Sequence, residues 1–266
     1  MAIQKFTLDA IQKLRNAVQA ELAIAEPKDQ VSLWSDAEIN VPEPESLDDL
    51  SDIFAFGGRS EAEQTELVTQ NQWSVSTFNP ASVLLKLPGL WVKPDYRLVG
   101  FLYRAAPNGA GIIFALPAEL STTAHLQKAL AQATVSKPPR PEGAMPHFMA
   151  AIDGDRSAAS FMVASLLRRE LQEFGAIGNR CNWNHHRLIQ ALPNKLLWQW
   201  RTEVPKDWLP KAMVMPDGQA AVEFFSCRVE PQEVVLYRHV DRCHKVGHGT
   251  FGAGRLGDGC LCQRFL

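Results

Sequence analysis

The residue best placed for chemistry in this sequence is a carboxylate inside an apolar helical pattern. Stepping at 100° per residue from Val163, Glu170 falls on the same arc as Leu166, Leu167 and Phe174. A buried carboxylate without a partner costs several kcal/mol, so it must find a cation, become protonated or reach a water-filled cleft. A carboxyl group with a raised pKa is suited to general acid or base catalysis.

Three roles for Glu170 follow from this position. As a catalytic acid or base it would work with His185 or His186 and would face a concave pocket. As a structural group it would pair with an arginine from a facing strand, such as Arg97 or Arg104. The third alternative is a cleft edge from which the side chain bends to water. Since structural ion pairs also perturb pKa values, the structural roles are favoured.

A cluster of polar residues after this helix predicts a binding surface. Its members are Arg180, Asn182, Trp183, Asn184, His185 and His186. An exposed tryptophan among polar neighbours is a typical anchor for a protein partner or a small ligand, and Trp183 is the expected anchor here. This hypothesis requires an exposed apolar patch of several hundred Å² around Trp183.

Histidines and cysteines towards the C-terminus have the residue types of zinc ligands. The candidates are His239, Cys243, His244, His248, Cys260 and Cys262. Thiolates and imidazoles at short spacings can share one metal ion. However, the last pair is C-x-C rather than C-x2-C, and the first group matches no common zinc finger. Free thiols and surface histidines are therefore favoured, and no metal is expected.

Other motifs give no catalytic or cofactor assignment. Cys181 or Cys227 could form a hydrolase pair with a histidine, but no local hydrolase signature accompanies them. Residues 252–257 read G-x-G-x-x-G, yet only nine residues follow them, too few for the βαβ unit that binds a dinucleotide. Tight turns or flexible backbone explain these glycines better, and we expect no cofactor.

One stretch of the sequence resembles known proteins. The run GDRSAASFMVASLLRRELQEFGA, with NW and HH soon after it, is similar to uncharacterised soluble proteins of cyanobacteria. The resemblance covers about forty residues clearly and the C-terminal half loosely. It implies no activity and no catalytic residue.

The elements that position these residues predict an α+β fold. Ser157 is a favoured N-cap and Gly175 a favoured stop for a central helix over about 157–175. Strand patterns precede and follow it, so an antiparallel sheet packed on this helix is expected. The predicted strands are 82–87, 96–104, 111–117, 147–152, 187–193, 195–201, 220–229 and 233–240. A hairpin tip is expected at Asn108-Gly109, and alternation predicts a shared, packed face for Trp198 and Trp200.

The N-terminal part differs in composition and predicts a separate segment. Residues 1–72 would form a helical and acidic connector, and 73–266 an α+β domain with a possible division near the proline-rich loop 135–146. Helices are predicted from Leu8 to about Ala25 and over 61–71. Residues 1–65 carry a charge of −8 and residues 66–266 a charge of +6, so the acidic part is expected to pack near the basic body.

Composition narrows the class of protein. The 266 residues are 46% hydrophobic with a net charge of −2, which fits a globular protein and gives no electrostatic argument for nucleic acid. No apolar run could span a membrane, no secretory signal is apparent, and five cysteines do not form a secreted disulfide framework. A cytoplasmic protein is expected.

Two functional hypotheses follow. The favoured one is a non-enzymatic binding or assembly protein that acts through a surface near the end of the central helix. The alternative is an enzyme of unrecognised type that uses Glu170 as a buried acid or base with His185 or His186.

Overall fold

The central helix forms where the capping residues predict it. The computed structural model describes residues 2–22, 69–192, 198–229, 233–243, 245–246, 250–251 and 256–265, with backbone only at 233 and 245–265. The helices in these ranges are α1 (Leu8–Leu22), α2 (Thr123–Ala131) and α3 (Ala158–Gln172). Ser157 Oγ accepts a hydrogen bond from Ser160 N at 3.0 Å at the start of α3, and Gly175 takes a positive φ of 64° after its end.

The largest sheet is antiparallel and packs on α3. Its strands are β1 (Ala2–Lys5), β8 (His186–Ile189), β9 (Gln199–Trp200), β10 (Lys211–Val214), β11 (Ala220–Val229), β12 (Glu233–Cys243) and β15 (Leu256–Phe265). The order is β1-β10-β11-β12-β15-β9, and β8 pairs with the part of β11 that β10 leaves open. An α+β fold with an antiparallel sheet on a central helix is therefore confirmed.

Smaller sheets complete the fold. They comprise β2 (Thr69–Gln70), β3 (Trp73–Val75), β5 (Tyr96–Ala105) and β6 (Asn108–Pro117) in one sheet, β4 (Leu90–Val92) with β7 (Ile152–Gly154), and β13 (Lys245–Val246) with β14 (Thr250–Phe251). The β5–β6 hairpin packs on α2 around Phe101, Leu116 and Leu130. It also contacts the end of α3, because Gly111 leaves room for Phe174: a Cβ there would lie 2.3 Å from Phe174 O.

The two faces of the large sheet have different chemistry. Phe225, Cys227 and Leu236 on the outer face form an apolar cluster, against which Trp198, Trp200 and Trp208 pack. The pairing predicted for Trp198 and Trp200 on one packed face is thus confirmed. The inner face, towards α1 and α3, holds the buried polar residues Ser226, His239 and Asp241.

Several predicted elements are wrong, for local reasons. Residues 82–86 of the strand predicted over 82–87 lie in a 3-10 helix, Pro80–Lys86, because Asn79 Oδ1 caps Ala81 N at 3.0 Å and Pro80 suits the first helical position. A second 3-10 helix, Phe148–Ala151, occupies most of the strand predicted over 147–152.

Two turns also differ from the prediction. The hairpin turns at Ala106-Pro107, joined by a cis peptide bond, rather than at Asn108-Gly109. Gly257 and Gly259 lie in β15 and pair with β12, so for these two glycines the interpretation as flexible backbone or turns is wrong. Of the helix predicted over 61–71, Thr69 and Gln70 are strand, and the remainder before them lies outside the described residues.

The N-terminal strand and helix belong to the main compact unit. Residues 1–23 group with 69–266, including the loop 135–146, whereas 24–68 form a second unit outside the described residues. The compact unit therefore includes β1 and α1, which the sequence interpretation places with the connector. In the described part of the chain, no helix is both long and apolar enough to cross a membrane.

Candidate functional site

Glu170 is buried in an ion pair between α1 and α3. Its side chain is 3% exposed, and Oε1 accepts hydrogen bonds from Arg15 Nε at 2.7 Å and from Trp183 Nε1 at 2.6 Å. Glu170 is thus in an ion pair with an arginine, but the arginine comes from α1 rather than from a facing strand. The predicted partners serve elsewhere: Arg97 donates to the carbonyls of residues 94 and 96, and Arg104 to those of residues 103 and 175.

Arg15 reaches Glu170 because it interrupts the apolar stripe of α1. It lies four residues after Ile11 and three before Val18, and all three side chains are buried. Besides Glu170, its guanidinium donates to Trp183 O at 2.8 Å and to His186 O. Arg15 therefore joins α1, α3 and the loop after α3. Its place in the stripe is the signal that could have identified it from sequence.

The pKa of the Glu170 carboxyl reflects its burial. Loss of solvent raises the pKa of Glu170 above its ordinary value, while Arg15 and the hydrogen bond from Trp183 act in the opposite direction. Burial is the larger effect. A raised pKa is what the catalytic hypothesis requires, although the same effect accompanies structural ion pairs.

Trp183 is a core residue rather than an exposed anchor. Only 6% of it is exposed. Its ring lies 4.6 Å from the Arg15 guanidinium carbon and 5.7 Å from that of Arg169, which are cation–π distances. It also contacts the rings of His186, Phe224 and His239. The expectation of an exposed aromatic patch at Trp183 is therefore wrong.

Glu173 fixes the backbone around Trp183. Its carboxylate accepts hydrogen bonds from three successive amides: Asn182 N at 2.6 Å, Trp183 N, and Asn184 N at 2.9 Å. Charge-assisted hydrogen bonds of this kind are roughly twice as strong as neutral ones. The C-cap residue of α3 thereby holds the loop that follows the helix. The sequence analysis missed this residue, although it stands one turn from Glu170.

The predicted polar cluster divides into buried and exposed members. Trp183 and His186 face the core, whereas Arg180, Asn182, Asn184 and His185 are exposed. Arg228 of β11 donates to Asn182 Oδ1 at 2.5 Å. We call the four exposed residues together with Arg228 the loop surface. It is polar and basic.

A chain of hydrogen bonds joins two buried histidines through a serine. Ser226 Oγ lies 2.8 Å from His186 Nδ1 and 2.7 Å from His239 Nε2. A hydroxyl has one proton to donate, so when one imidazole accepts it the other must donate, and their tautomers are coupled. Ser226 is fully buried, His239 is 1% exposed and His186 is 6% exposed. The chain orders the interior between the sheet and α3.

A second ion pair lies beside this chain. Arg169 binds Asp241 in bidentate fashion, with contacts of 2.5 Å and 3.0 Å, and Ser165 Oγ donates to the same carboxylate. The Arg169 guanidinium also lies 5.0 Å from the Phe224 ring. Since Arg169 and Glu170 are adjacent on α3, this helix contributes one charge to each of two buried pairs.

The metal-ligand candidates are partly described. His239 binds Ser226, and burial together with Asp241 raises the pKa of the Cys243 thiol to about 12. His244 and His248, and the side chains of Cys260 and Cys262, lie outside what the structure describes. Among the side chains that are described, no group of three or more His, Cys, Asp or Glu residues could hold a metal ion.

The two candidate cysteines of a hydrolase pair lie at different sites in the fold. Cys227 is on the outer face of the sheet, opposite to His239, and burial raises the pKa of its thiol. Cys181 Sγ donates to Ala176 O at 3.3 Å, within the loop after α3. Neither position favours a cysteine–histidine pair.

Comparison with known proteins gives no family for this chain. No family model matches it, and neither a curated protein nor a solved structure does.

Proposed function

We propose that this is a non-enzymatic binding protein that uses the loop surface to contact a protein partner. One observation carries the proposal. The loop exposes Arg180, Asn184 and His185, while its backbone is held by three amide hydrogen bonds to Glu173. A surface fixed before binding loses less conformational entropy when a partner docks.

The buried neighbours of the loop support the same proposal. Trp183 and His186 alternate with the exposed residues and are tied to the core through Arg15 and Ser226. These two buried side chains fix the loop to the core, while its other side chains remain exposed. Loops positioned by a rigid scaffold are common binding sites.

Capture of partners from a lysate of the source organism tests this function. The test variant is Arg180→Ala/Asn184→Ala/His185→Ala, in which every changed side chain is exposed. A matched control changes three exposed basic residues elsewhere, Lys128→Ala/Lys137→Ala/Arg140→Ala. We expect the test variant to lose a protein that the wild type and the control both retain. Identical lists for all three would contradict the proposal.

An enzyme with Glu170 as acid or base is the second candidate, supported by the raised pKa of that carboxyl. The burial of the Glu170 side chain weighs against this role, since a catalytic acid must reach its substrate. Carbodiimide labelling of native protein separates the two. We expect the exposed Glu119 and Glu142 to be labelled and Glu170 to stay unlabelled. Labelling of Glu170 at a comparable rate would favour the enzyme.

A further inference from the structure

The stretch of sequence that contains the loop carries charge of one sign. From residue 174 to residue 202 the sequence has no aspartate or glutamate, but it has one lysine, three arginines and two histidines. The acid that directly precedes this stretch in the sequence, Glu173, has its carboxylate bound by three backbone amides. Within the described residues, no ion pair involves Arg180. The exposed guanidinium is therefore placed to meet a negative charge from outside.

The asparagines add hydrogen-bond donors to this charge. Asn182 Oδ1 accepts from Arg228 at 2.5 Å, and Asn184 Oδ1 accepts from Gln19 Nε2 at 3.3 Å. Each amide oxygen is engaged by the chain itself, whereas neither Nδ2 group makes a hydrogen bond within the described residues. A primary amide nitrogen only donates hydrogen bonds. The surface thus combines positive charge with donors and suits a ligand rich in anionic acceptors.

Resting on the proposed function, we infer that the partner presents a short acidic segment of polypeptide, whose carboxylates bind at Arg180, Asn182 and Asn184. Arginine pairs with carboxylate through two parallel hydrogen bonds. Nucleic acid fits less well, because it requires several phosphate contacts over a basic face and the whole chain has a net charge of −2.

Binding of a labelled heptaglutamate peptide tests this inference. Fluorescence anisotropy would be measured at about 20 mM and about 150 mM salt, because exposed charge pairs are screened as salt rises. Arg180→Glu reverses the charge, and Asn184→Asp replaces a donor by an acceptor of nearly the same shape. We expect each to weaken binding by about tenfold or more, equivalent to about 1.4 kcal/mol. Arg140→Glu, a charge reversal at an exposed arginine elsewhere, should leave binding unchanged.

Two results would overturn the inference. One is no binding of heptaglutamate by the wild type. The other is equal or tighter binding of an oligothymidylate of the same charge, which would show a general polyanion site. Either result leaves the proposed function intact if the lysate partner is still lost with the Arg180/Asn184/His185 variant. If the Arg180/Asn184/His185 variant keeps every lysate partner while the wild type still binds heptaglutamate, the proposed function is instead contradicted.

Discussion

Breaking the Arg15–Glu170 pair should destabilise the protein strongly, and more so at neutral than at acidic pH. Arg15→Met removes the cation from a carboxylate that is 3% exposed, and it removes the donor to Trp183 O and His186 O. Removing one partner of a buried pair costs about 3–5 kcal/mol. Each carbonyl that loses its hydrogen-bond donor adds about 1–3 kcal/mol to this destabilisation where water cannot replace the donor. We expect a loss of at least about 3 kcal/mol in the free energy of unfolding at pH 7.

The pH dependence follows from the raised pKa of Glu170. A carboxyl group whose folded-state pKa exceeds its unfolded value of 4.5 stabilises the folded protein most below pH 4.5, and this contribution is lost as the pH rises through the folded pKa. Without Arg15 the carboxyl can still take up a proton at low pH. The destabilisation by Arg15→Met should therefore shrink between pH 7 and pH 4.

Urea unfolding at several pH values, followed by circular dichroism, provides the measurement. Glu170→Gln serves as the matched variant, since its amide oxygen can still accept from Trp183 but does not titrate. The double variant Arg15→Met/Glu170→Gln should cost less than the sum of the two single changes, by about 0.5–3 kcal/mol. Additive losses, or a loss from Arg15→Met that grows as the pH falls, would refute the reasoning.

The other predictions concern separate parts of the fold. Glu173→Ala removes the acceptor for three loop amides, so hydrogen exchange at those amides should accelerate and stability should fall by about 1–3 kcal/mol; unchanged exchange would contradict the role of Glu173. Burial, and to a smaller extent the charge of Arg168, lowers the pKa of His147 from 6.5 to about 4. The contribution of the neutral imidazole to stability is therefore present above pH 6.5 and is lost as the pH falls towards 4. After allowance for solvent screening at this half-buried site, the loss in the free energy of unfolding is about 1–2 kcal/mol. The variant His147→Asn keeps a capping side chain but has no imidazole, so its urea unfolding should not show this loss. Iodoacetamide at pH 8 should modify Cys243 of the native protein about tenfold or more slowly than it modifies a thiol with a pKa of 9.0, as read by peptide mass spectrometry; a rate like that of the unfolded chain would be inconsistent with the raised pKa.

Local signals were enough to place the central helix and several strands. Ser157 caps the start of α3, Gly175 takes a positive φ shortly after its end, and alternating apolar residues identify β5, β11 and β12. The strand predicted over 82–87 failed because Asn79-Pro80 begins a 3-10 helix, a turn signal that outweighs the β propensity of the residues after it.

The site itself depends on contacts that no local pattern contains. Glu170 stood out as a buried carboxylate, but its partner lies 155 residues away on α1. The hydrogen-bond chain through Ser226 requires the register of β8 and β12 on β11, which adjacent residues do not determine. Trp183 was misplaced because its polar neighbours suggested an exposed position, whereas its indole N–H binds Glu170.

The pairing of the first strand with β10 has a consequence for synthesis on the ribosome. Arg15 meets Glu170, which is 155 residues further along the chain, and Ile3 lies opposite Met213, so β1 can pair only after some two hundred further residues have been made. At about 5–20 residues per second this interval is roughly 10–40 s. During that time β1 has no strand to pair with, so this edge of the large sheet forms only after β10 has been made.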